Sequence, residues 1–386
     1  MTTVELTAEV REVDTATSHA VLDPHGFAWL HHDTAIVAAG VAARVPVDEV
    51  DAVLAGIPVD GAVDVPATGP LAVGALAFDP DAPGDLVVPA VVTTRFAGRR
   101  FVTRIAPAAD GDSPPPPPAR FSIDAPRTRA QWDDMVRAAL AAIAAGEVEK
   151  VVLAREVFVD GDAPFDVRAV VARLVTQQPG SFVYAAGGLV GASPELLVRR
   201  LGDTVESRPM AGTAVADGDA ASLRALAESV KDQHEHRLVV DAITDALRPA
   251  CRDLDVGGIP EVAVFGHVAH LATPFRGRLH PPAPTALDLA QRLHPTPAVG
   301  GTPTAASLAV IRELEGFDRG RYAGPVGWVD ARGDGEWAIA LRGAELDGRR
   351  ARLVAGAGIV DGSDPAAEWA ETQAKLEPML RALVRP

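Results

Sequence analysis

The sequence predicts an α+β fold. Short apolar runs separated by Gly, Pro and Asp fill the first 106 residues, strand-like runs return near the C-terminus, and strands and helices are grouped along the chain. A doubly wound parallel sheet would need strands and helices in regular alternation, which this chain lacks. With 386 residues, 48% hydrophobic and 23% charged, the chain is long enough for one large domain or two to three small ones.

Residues 1–106 are predicted to form a strand-rich segment that packs into the same fold as the rest of the chain. Five consecutive prolines, Pro114–Pro118, mark a surface link over 107–120. The short apolar runs of the first segment include Ala35–Gly40 and Leu71–Phe78, and strands are predicted over Leu86–Val92 and Phe101–Ile105.

The region 121–386 is predicted to begin with a helix. Thr128 and Gln131 have the spacing of a capping box, and Gly146 provides the helix stop. The other predicted elements are strands over 150–159, 181–184 and 196–199, one long helix over 219–247, strands over 323–329, 336–342 and 352–354, and a last helix capped by Asp364.

Charge and composition exclude several classes of function. The formal net charge of −16 argues against a nucleic acid or an anionic membrane as partner, although it is compatible with a local basic pocket. One cysteine, Cys251, excludes a disulfide framework. No apolar run approaches the ~18 residues of a membrane span. Because residues 1–5 also lack the features of a signal peptide, we expect a cytoplasmic protein, with a monomer favoured.

Lysine is rare in this chain: Lys150, Lys231 and Lys375 are the three lysines among 36 basic residues. A codon bias toward arginine explains the excess, and a lysine that persists under it is a candidate for chemistry that needs a neutral amine. Lys150 begins an apolar strand, where partial desolvation favours the neutral amine of a general base. The alternative is a strand-end lysine that reaches solvent.

Two further charged residues stand at predicted strand ends. Glu195 lies in a turn before an apolar strand, where burial would raise the pKa of its carboxyl and suit it to donate a proton. The alternative for Glu195 is a carboxylate that caps backbone amides. Arg342 ends an apolar strand, where it would bind a carboxylate through two hydrogen bonds or form a strand-end salt bridge.

Two pairs of carboxylates occur at helical i,i+3 spacing. Asp232 and Glu235 share a face of one predicted helix, and Glu368 and Glu371 share a face of the last one. Such pairs suit Mg²⁺, which binds through one or two carboxylates, waters and substrate oxygens. The alternative is a solvated acidic surface with an ion pair between Glu371 and Lys375.

A glycine-rich stretch, Ala355–Gly358, follows a predicted strand. It resembles half of a dinucleotide-binding fingerprint, but Asp361 stands where a further glycine is needed, so the fingerprint fails. A glycine turn at this place would still offer backbone N–H groups to an anion.

Ordered motifs run through residues 121–383. They are Lys150–Arg155, Ser193–Leu196, Arg208–Thr213, Lys231–His236, His270–Thr273, Leu293–Gly301, Tyr322–Trp328, Ala355–Val360, and Glu368–Thr372 with Lys375. Together they resemble the chorismate-utilising enzymes, the family of anthranilate synthase component I. The resemblance implies a large antiparallel-sheet core flanked by helices, with the chorismate-binding region over 121–386.

Three positions separate the reactions within this family. Anthranilate synthases place Gln where Lys150 stands, whereas an enzyme that activates water needs a base there. Aminodeoxychorismate synthases usually carry a nucleophilic lysine at the position of Ala211, so covalent catalysis is disfavoured. Salicylate synthases tend to have Thr where this chain has Ala298. All three positions resemble the isochorismate-forming members.

The resemblance implies a Mg²⁺-dependent isomerisation of chorismate to isochorismate. Lys150 would take a proton from the water that attacks C2 of the ring, and Glu195 would protonate the departing C4 hydroxyl. The residues implied to hold Mg²⁺ are Glu235 and Glu371 directly, and Asp232 and Glu368 through water. Those implied to bind the substrate are Gly212, Thr213, Ala298, Tyr322, Arg342, Gly356 and Lys375.

Two other functions stay open at this point. A salicylate synthase would form isochorismate and then also expel pyruvate. A catalytically idle homologue would serve as a binding subunit, although the intact Lys150, Glu195, Glu235 and Glu371 argue against idleness. No amidotransferase partner is expected, since such partners belong to the ammonia-using relatives.

Overall fold

The computed structural model describes most of the chain, namely residues 6–13, 22, 26–61, 63–106, 116–216, 220–266 and 268–384. Residues 107–115 of the predicted proline-rich link lie outside this description. Residues 1–5, on which the signal-peptide argument rests, also lie outside it.

The described residues form 25 strands and eight α-helices. The strands are β1 (Ala8–Glu12), β2 (Phe27–His31), β3 (Thr34–Ala39), β4 (Ala43–Pro46), β5 (Val59–Asp60), β6 (Leu71–Ala75), β7 (Asp85–Val88), β8 (Val91–Phe96), β9 (Arg99–Arg104), β10 (Phe121–Asp124), β11 (Lys150–Gly161), β12 (Phe182–Ala186), β13 (Leu189–Ser193), β14 (Leu196–Leu201), β15 (Thr204–Arg208), β16 (Met210–Val215), β17 (Cys251–Val256), β18 (Glu261–Phe265), β19 (Val268–Ala272), β20 (Phe275–Leu279), β21 (Gly301–Thr302), β22 (Pro325–Asp330), β23 (Gly335–Ile339), β24 (Gly343–Asp347) and β25 (Arg350–Ile359). The helices are α1 (Val50–Ala55), α2 (Arg129–Ala144), α3 (Val167–Gln177), α4 (Ala220–Glu228), α5 (Val230–Leu247), α6 (Ala286–Leu293), α7 (Thr304–Glu315) and α8 (Pro365–Val384). None of these helices is both long and apolar enough to cross a membrane.

The strands assemble into two large sheets and one small sheet. The largest has the order β10-β11-β25-β24-β13-β12-β2-β3-β8-β9-β1-β5, with β21 paired to β11. The second has the order β17-β20-β15-β14-β23-β22-β6-β7-β4, and the small sheet has the order β16-β19-β18. Within the described chain, β1 and β5 run parallel and the other pairs of neighbours run antiparallel. The predicted antiparallel-sheet core is confirmed, and strands from the first 106 residues contribute to both large sheets.

The two large sheets face each other across an apolar core. Trp29 and Ile36 of the largest sheet pack there with Val326 and Trp328 of the second, and all four side chains are fully buried. Burial of one aliphatic side chain contributes about 1.5–3 kcal/mol. Helices α3 and α8 contribute buried apolar residues to a separate core on the largest sheet.

Helix capping decides two helix boundaries. Thr128 and Gln131 form the predicted capping box at the start of α2. The single long helix predicted over 219–247 is wrong, because the chain divides into α4 and α5 at Ser229. The extended backbone of Ser229 ends one helix, and its hydroxyl accepts a hydrogen bond from the Asp232 amide at 3.2 Å to begin the next.

Two predicted strand boundaries are also wrong. The run over 86–92 forms two strands, β7 and β8, separated at Pro89, which has no N–H for a strand ladder. The predicted glycine turn at Ala355–Gly358 lies inside β25, where Gly356 pairs with Ala154 of β11. Glycine weakens a strand in general, but the absence of a side chain at Gly356 leaves room for the Leu153 carbonyl and the Tyr322 hydroxyl.

Candidate active site

A pocket lies where strands β11, β16, β19 and β25 meet helices α5 and α8. The structure brings together in its wall all seven residues that were implied to bind the substrate, as well as Glu195 and Glu235. The residues that complete the wall are Val152, Pro194, Met210, Ala211, His270, Val299, Leu341, Val354, Ala355 and Gly358. Lys150, Asp232, Glu368 and Glu371 do not line the pocket and lie behind or beside its wall.

Lys150 is fully buried at the first position of β11, and its Nζ lies 2.9 Å from Glu235 Oε1. The alternative in which this lysine reaches solvent is therefore wrong. Gly358 makes the approach possible, because a Cβ there would overlap Glu235 Oε1 and lie 3.1 Å from Lys150 Cε. Burial alone would raise the pKa of Glu235, but the charge and hydrogen bond of Lys150 outweigh it and lower that pKa.

Glu195 lies in the turn between β13 and β14 and is 4% exposed. Its Oε1 accepts a hydrogen bond from the Met210 amide at 3.3 Å. Burial raises the pKa of Glu195 to about 7, although the Met210 amide and the nearby cations oppose this rise. The side chain therefore caps a backbone amide and also carries a proton in part of the molecules near neutral pH.

Arg342 follows β23 with a left-handed backbone, at a φ of 50°. No carboxylate of the described residues lies within ion-pair distance of its guanidinium, so the predicted strand-end salt bridge is absent. Its Nη1 is buried without a hydrogen-bond partner in the same part of the chain. Burial lowers the pKa of Arg342 to about 10, so the group stays cationic at neutral pH and offers a free donor to an anion.

His270 of β19 is hydrogen-bonded to the other terminal nitrogen of the Arg342 guanidinium. Its Nε2 lies 2.5 Å from Arg342 Nη2, and its Nδ1 lies 3.2 Å from the carbonyl oxygen of Gly212. A guanidinium only donates and a carbonyl only accepts, so the proton sits on Nδ1. Burial, together with the charge of Arg342, holds the pKa of His270 well below its usual range, so the ring is neutral.

From the sequence alone, His270 belongs to one of the ordered motifs but has no predicted role. The sequence feature that could have indicated a role is the position of this histidine inside the apolar run Val268–Ala272, which forms a fully buried strand. The Gly212 carbonyl reaches it because β16 shifts register between Ala211 and Thr213, with Gly212 at a φ of 71°.

Gly356 lines the pocket from within β25 and not from a turn. Its carbonyl accepts a hydrogen bond from Lys375 Nζ at 3.0 Å, and its backbone is hydrogen-bonded to the Tyr322 hydroxyl. The expectation of an open glycine turn that presents amides to an anion is therefore wrong. The absence of a side chain at this position instead makes room for Tyr322, whose hydroxyl would lie 3.3 Å from a Cβ there.

Three of the four carboxylates predicted for the Mg²⁺ site are paired with the three lysines of the chain, and Asp232 is the exception. The pairs are Lys150–Glu235 at 2.9 Å, Lys231–Glu368 at 2.8 Å and Lys375–Glu371 at 2.6 Å. Burial works against the charge of Lys375, but Glu371 outweighs it and raises the pKa of this lysine. Each lysine therefore neutralises one carboxylate in this arrangement.

The donor set on α5 and α8 fits a hard divalent cation. Burial and then Glu371 raise the pKa of Glu368, and burial, with further contributions from Glu235 and Glu371, raises the pKa of Asp232. Glu371 therefore disfavours ionisation of Glu368 and, with Glu235, of Asp232, and a cation that binds one or two of these carboxylates relieves that repulsion. In the described part of the chain no three acidic, histidine or cysteine side chains converge on one point.

The fold and the pocket have counterparts in known proteins. A family model described as chorismate binding enzyme matches residues 102–384. MenF from Mycobacterium tuberculosis strain H37Rv is 45% identical over 333 residues, which cover 82% of this chain and 87% of that protein. Isochorismate synthase EntC from Escherichia coli K12 is 40% identical over 328 residues, which cover 81% and 80% of the two chains.

Among solved structures, the crystal structure of DhbC from Bacillus anthracis superposes with a TM-score of 0.81 at 33% identity. The match covers 94% of this chain and 97% of that one. These matches confirm the predicted chorismate-binding fold. The chain belongs to the family of chorismate-binding enzymes.

Proposed function

We propose that this chain is an isochorismate synthase, which isomerises chorismate to isochorismate. The observation that carries the proposal is the pocket, whose wall holds a carboxyl of pKa about 7 and an arginine with a free donor. The buried Lys150 lies behind that wall, against Glu235. The similarity to EntC, itself named isochorismate synthase, supports the same activity.

Lys150 is proposed as the general base. Its fixed position beside Glu235 Oε1 gives the amine one orientation, and its complete burial keeps bulk water away from it. The base is the neutral form of this side chain and not the ammonium that pairs with Glu235, and in the reaction that amine would take a proton from the water molecule that attacks C2 of the ring. Glutamine cannot take up that proton, which is why lysine matters at this position.

Glu195 is proposed as the general acid. Its pKa of about 7 keeps a useful fraction of the carboxyl protonated under neutral conditions. As the new C2–O bond forms, the C4–O bond breaks and the ring double bonds shift. The proton of Glu195 would go to the departing C4 hydroxyl, which leaves as water.

Arg342 and Lys375 are proposed to bind the carboxylates of the substrate. Both line the pocket, and Arg342 Nη1 is buried there without a hydrogen-bond partner among the described residues. Tyr322 lies beside them in the same wall. Arg342 and Lys375 explain how a protein with a net charge of −16 would bind a dianion, because the electric field inside the pocket, and not the net charge of the protein, governs the binding of the substrate.

Gly212, Thr213 and Ala298 are proposed to line the ring site, together with the Gly356 backbone. Ala211 also lines the pocket and offers no nucleophile. This composition favours attack by water over a covalent intermediate.

The same proposal includes a Mg²⁺ requirement. Glu235 and Glu371 would hold the ion, with Asp232 and Glu368 reached through water, and the bound ion would supply positive charge for a substrate carboxylate. Support comes from the carboxylate donors and from their mutual repulsion.

The test is product analysis. Purified protein is incubated with chorismate and MgCl₂, without ammonia, and the products are separated by chromatography with mass detection. We expect a new species with the mass of chorismate, in equilibrium with it and absent when EDTA is added. Salicylate with equimolar pyruvate, or no turnover, would contradict the proposal.

A further inference from the structure

Arg155 is a buried cation for which the proposed mechanism has no use. It lies in the middle of β11, is 2% exposed and does not line the pocket. Among the described residues it forms no ion pair, and its Nη2 is buried without a hydrogen-bond partner. Burial lowers the pKa of Arg155 to about 10, so the guanidinium is still charged at neutral pH. A buried charge without a counter-ion destabilises a fold.

The side-chain hydrogen bond and the ring contact of Arg155 both lead to one turn of α8. Its Nε donates a hydrogen bond to Thr372 Oγ1 at 2.8 Å, and its guanidinium carbon lies 4.0 Å from the centre of the Trp369 ring. The Thr372 hydroxyl in turn donates to the Trp369 carbonyl at 2.8 Å. The same helical turn carries Glu368 and Glu371.

Stability alone does not account for an arginine here. An apolar side chain of similar length would pack on Trp369 without the cost of desolvating a charge. The planar guanidinium of an arginine stacks on the Trp369 ring. Its Nε–H also donates to Thr372, and this second contact fixes how the helix turn is rotated about the stacked pair. The side chain therefore sets both the distance and the rotation of the α8 turn relative to β11.

We propose that Arg155 is a positioning residue for the cation site, acting through α8. Lys150 and Arg155 belong to the same strand, and Lys150 already fixes Glu235 of α5. By fastening Trp369 and Thr372 to that strand, Arg155 places Glu371 of α8 where it can share an ion with Glu235. This inference rests on the proposed function, and in particular on its Mg²⁺ site.

The experiment compares Mg²⁺ binding to the full-length wild-type chain and to Arg155→Met, measured by isothermal titration calorimetry without chorismate. We expect a 10–100-fold weaker affinity for Mg²⁺ in the variant, the range found when outer groups that orient metal ligands are removed. The thermal midpoint without Mg²⁺ should stay the same or rise. In turnover assays the Mg²⁺ concentration for half-activation should rise, while kcat at saturating Mg²⁺ recovers.

Three further variants separate positioning from packing. Thr372→Val removes the hydrogen-bond acceptor at nearly constant volume, and its effect on Mg²⁺ affinity should not add fully to that of Arg155→Met. Arg155→Lys keeps the positive charge but loses the planar guanidinium, and its Mg²⁺ affinity should lie between those of wild type and Arg155→Met. Arg129→Met is the matched control, because Arg129 lies 5.7 Å from the same ring but is tied to Asp133, and it should leave Mg²⁺ affinity unchanged.

The outcomes are distinguishable. Equal Mg²⁺ affinity in wild type and Arg155→Met overturns the role of Arg155 and leaves the proposed function intact. A wild-type chain that binds no Mg²⁺ overturns both the cation site and the inference built on it. If Arg155→Met shows no cooperative thermal transition, Thr372→Val decides, and wild-type Mg²⁺ affinity in that variant overturns the proposal.

Discussion

Lys150 Nζ and Glu235 Oε1 lie 2.9 Å apart, and the lysine side chain is completely buried. The pair joins the first residue of β11 to the second turn of α5, and Gly358 of β25 leaves the space for it. Because buried ion pairs gain little net stability, the pair is better explained by the chemistry of the pocket than by folding.

The proposed base is tested by Lys150→Gln. A glutamine of similar reach cannot accept a proton from water, so isochorismate formation should fall by about 10²–10⁴-fold. Turnover of chorismate is measured at saturating MgCl₂, with circular dichroism to establish that the variant folds. Lys231→Gln removes a lysine that is paired with Glu368 and not with Glu235, and it should retain far more activity than Lys150→Gln. Undiminished isochorismate formation by Lys150→Gln would disprove the assignment.

The proposed acid predicts a pH dependence. The pKa of Glu195 is raised by burial to about 7, so the proton-donating form is present below that pH and is lost as pH rises through it. The groups that face Glu195 are the cations Lys150, Lys375 and Arg342, with the Met210 amide. We therefore expect kcat/KM to decline above about pH 7.

The pH profile is compared with a direct substitution. Glu195→Gln keeps the shape of the side chain without its proton and should lose about 10²–10⁴-fold in kcat. Glu261→Gln, at an exposed position, should behave as wild type. A wild-type profile that stays level through pH 7 and beyond would be inconsistent with Glu195 as the acid.

The free donor of Arg342 predicts a defect in substrate binding. Arg342→Lys retains a positive charge but loses the planar pair of donors, so KM for chorismate should rise by about 10–100-fold, the equivalent of one charge-assisted hydrogen bond. His270→Ala should move KM in the same direction, because the neutral ring holds Arg342 Nη2. Arg278→Lys, in an exposed pair with Asp203, serves as control. Wild-type KM in both pocket variants would refute this role.

Gly358 predicts an effect on stability as well as activity. A methyl group there would overlap Glu235 Oε1, so Gly358→Ala should lower the free energy of unfolding by about 1–3 kcal/mol and displace the Lys150–Glu235 pair. Gly258→Ala is the matched control, since a Cβ at that position meets nothing within 4 Å. Chemical denaturation measures both. Equal stability of the two variants would show that the space beside Gly358 is not needed.

The ordered motifs predicted the fold and most of the pocket wall, because residue type and order are what a family resemblance carries. The spacing of Thr128 and Gln131 also predicted a helix start correctly, since a capping box is a local interaction. The break at Ser229 was missed because an apolar pattern continues across it, and one serine hydroxyl decides the boundary. Both helix boundaries depend on hydrogen bonds between residues three positions apart, so neither requires knowledge of the rest of the fold.

Contacts between distant segments could not be read from the sequence. Lys150 and Glu235 are 85 positions apart, and nothing in their local patterns indicates that they pair. Gly356 resembled part of a turn because glycine is rare inside strands. A Cβ at this position would lie 2.9 Å from the Leu153 carbonyl oxygen and 3.3 Å from the Tyr322 hydroxyl, and neither contact can be read from the local sequence. The role of His270 depends on a carbonyl and a guanidinium brought together only by the fold.

The most direct measurement follows the oxygen atom that the reaction introduces. Chorismate is incubated with the protein and MgCl₂ in water enriched in oxygen-18, and the first-formed product is examined by mass spectrometry with fragmentation. Attack of water at C2 with loss of the C4 hydroxyl predicts isochorismate that carries one heavy oxygen, located at C2. Isochorismate without the label would show that the original hydroxyl migrates, and it would contradict activation of water by Lys150 and departure of the hydroxyl with the proton of Glu195.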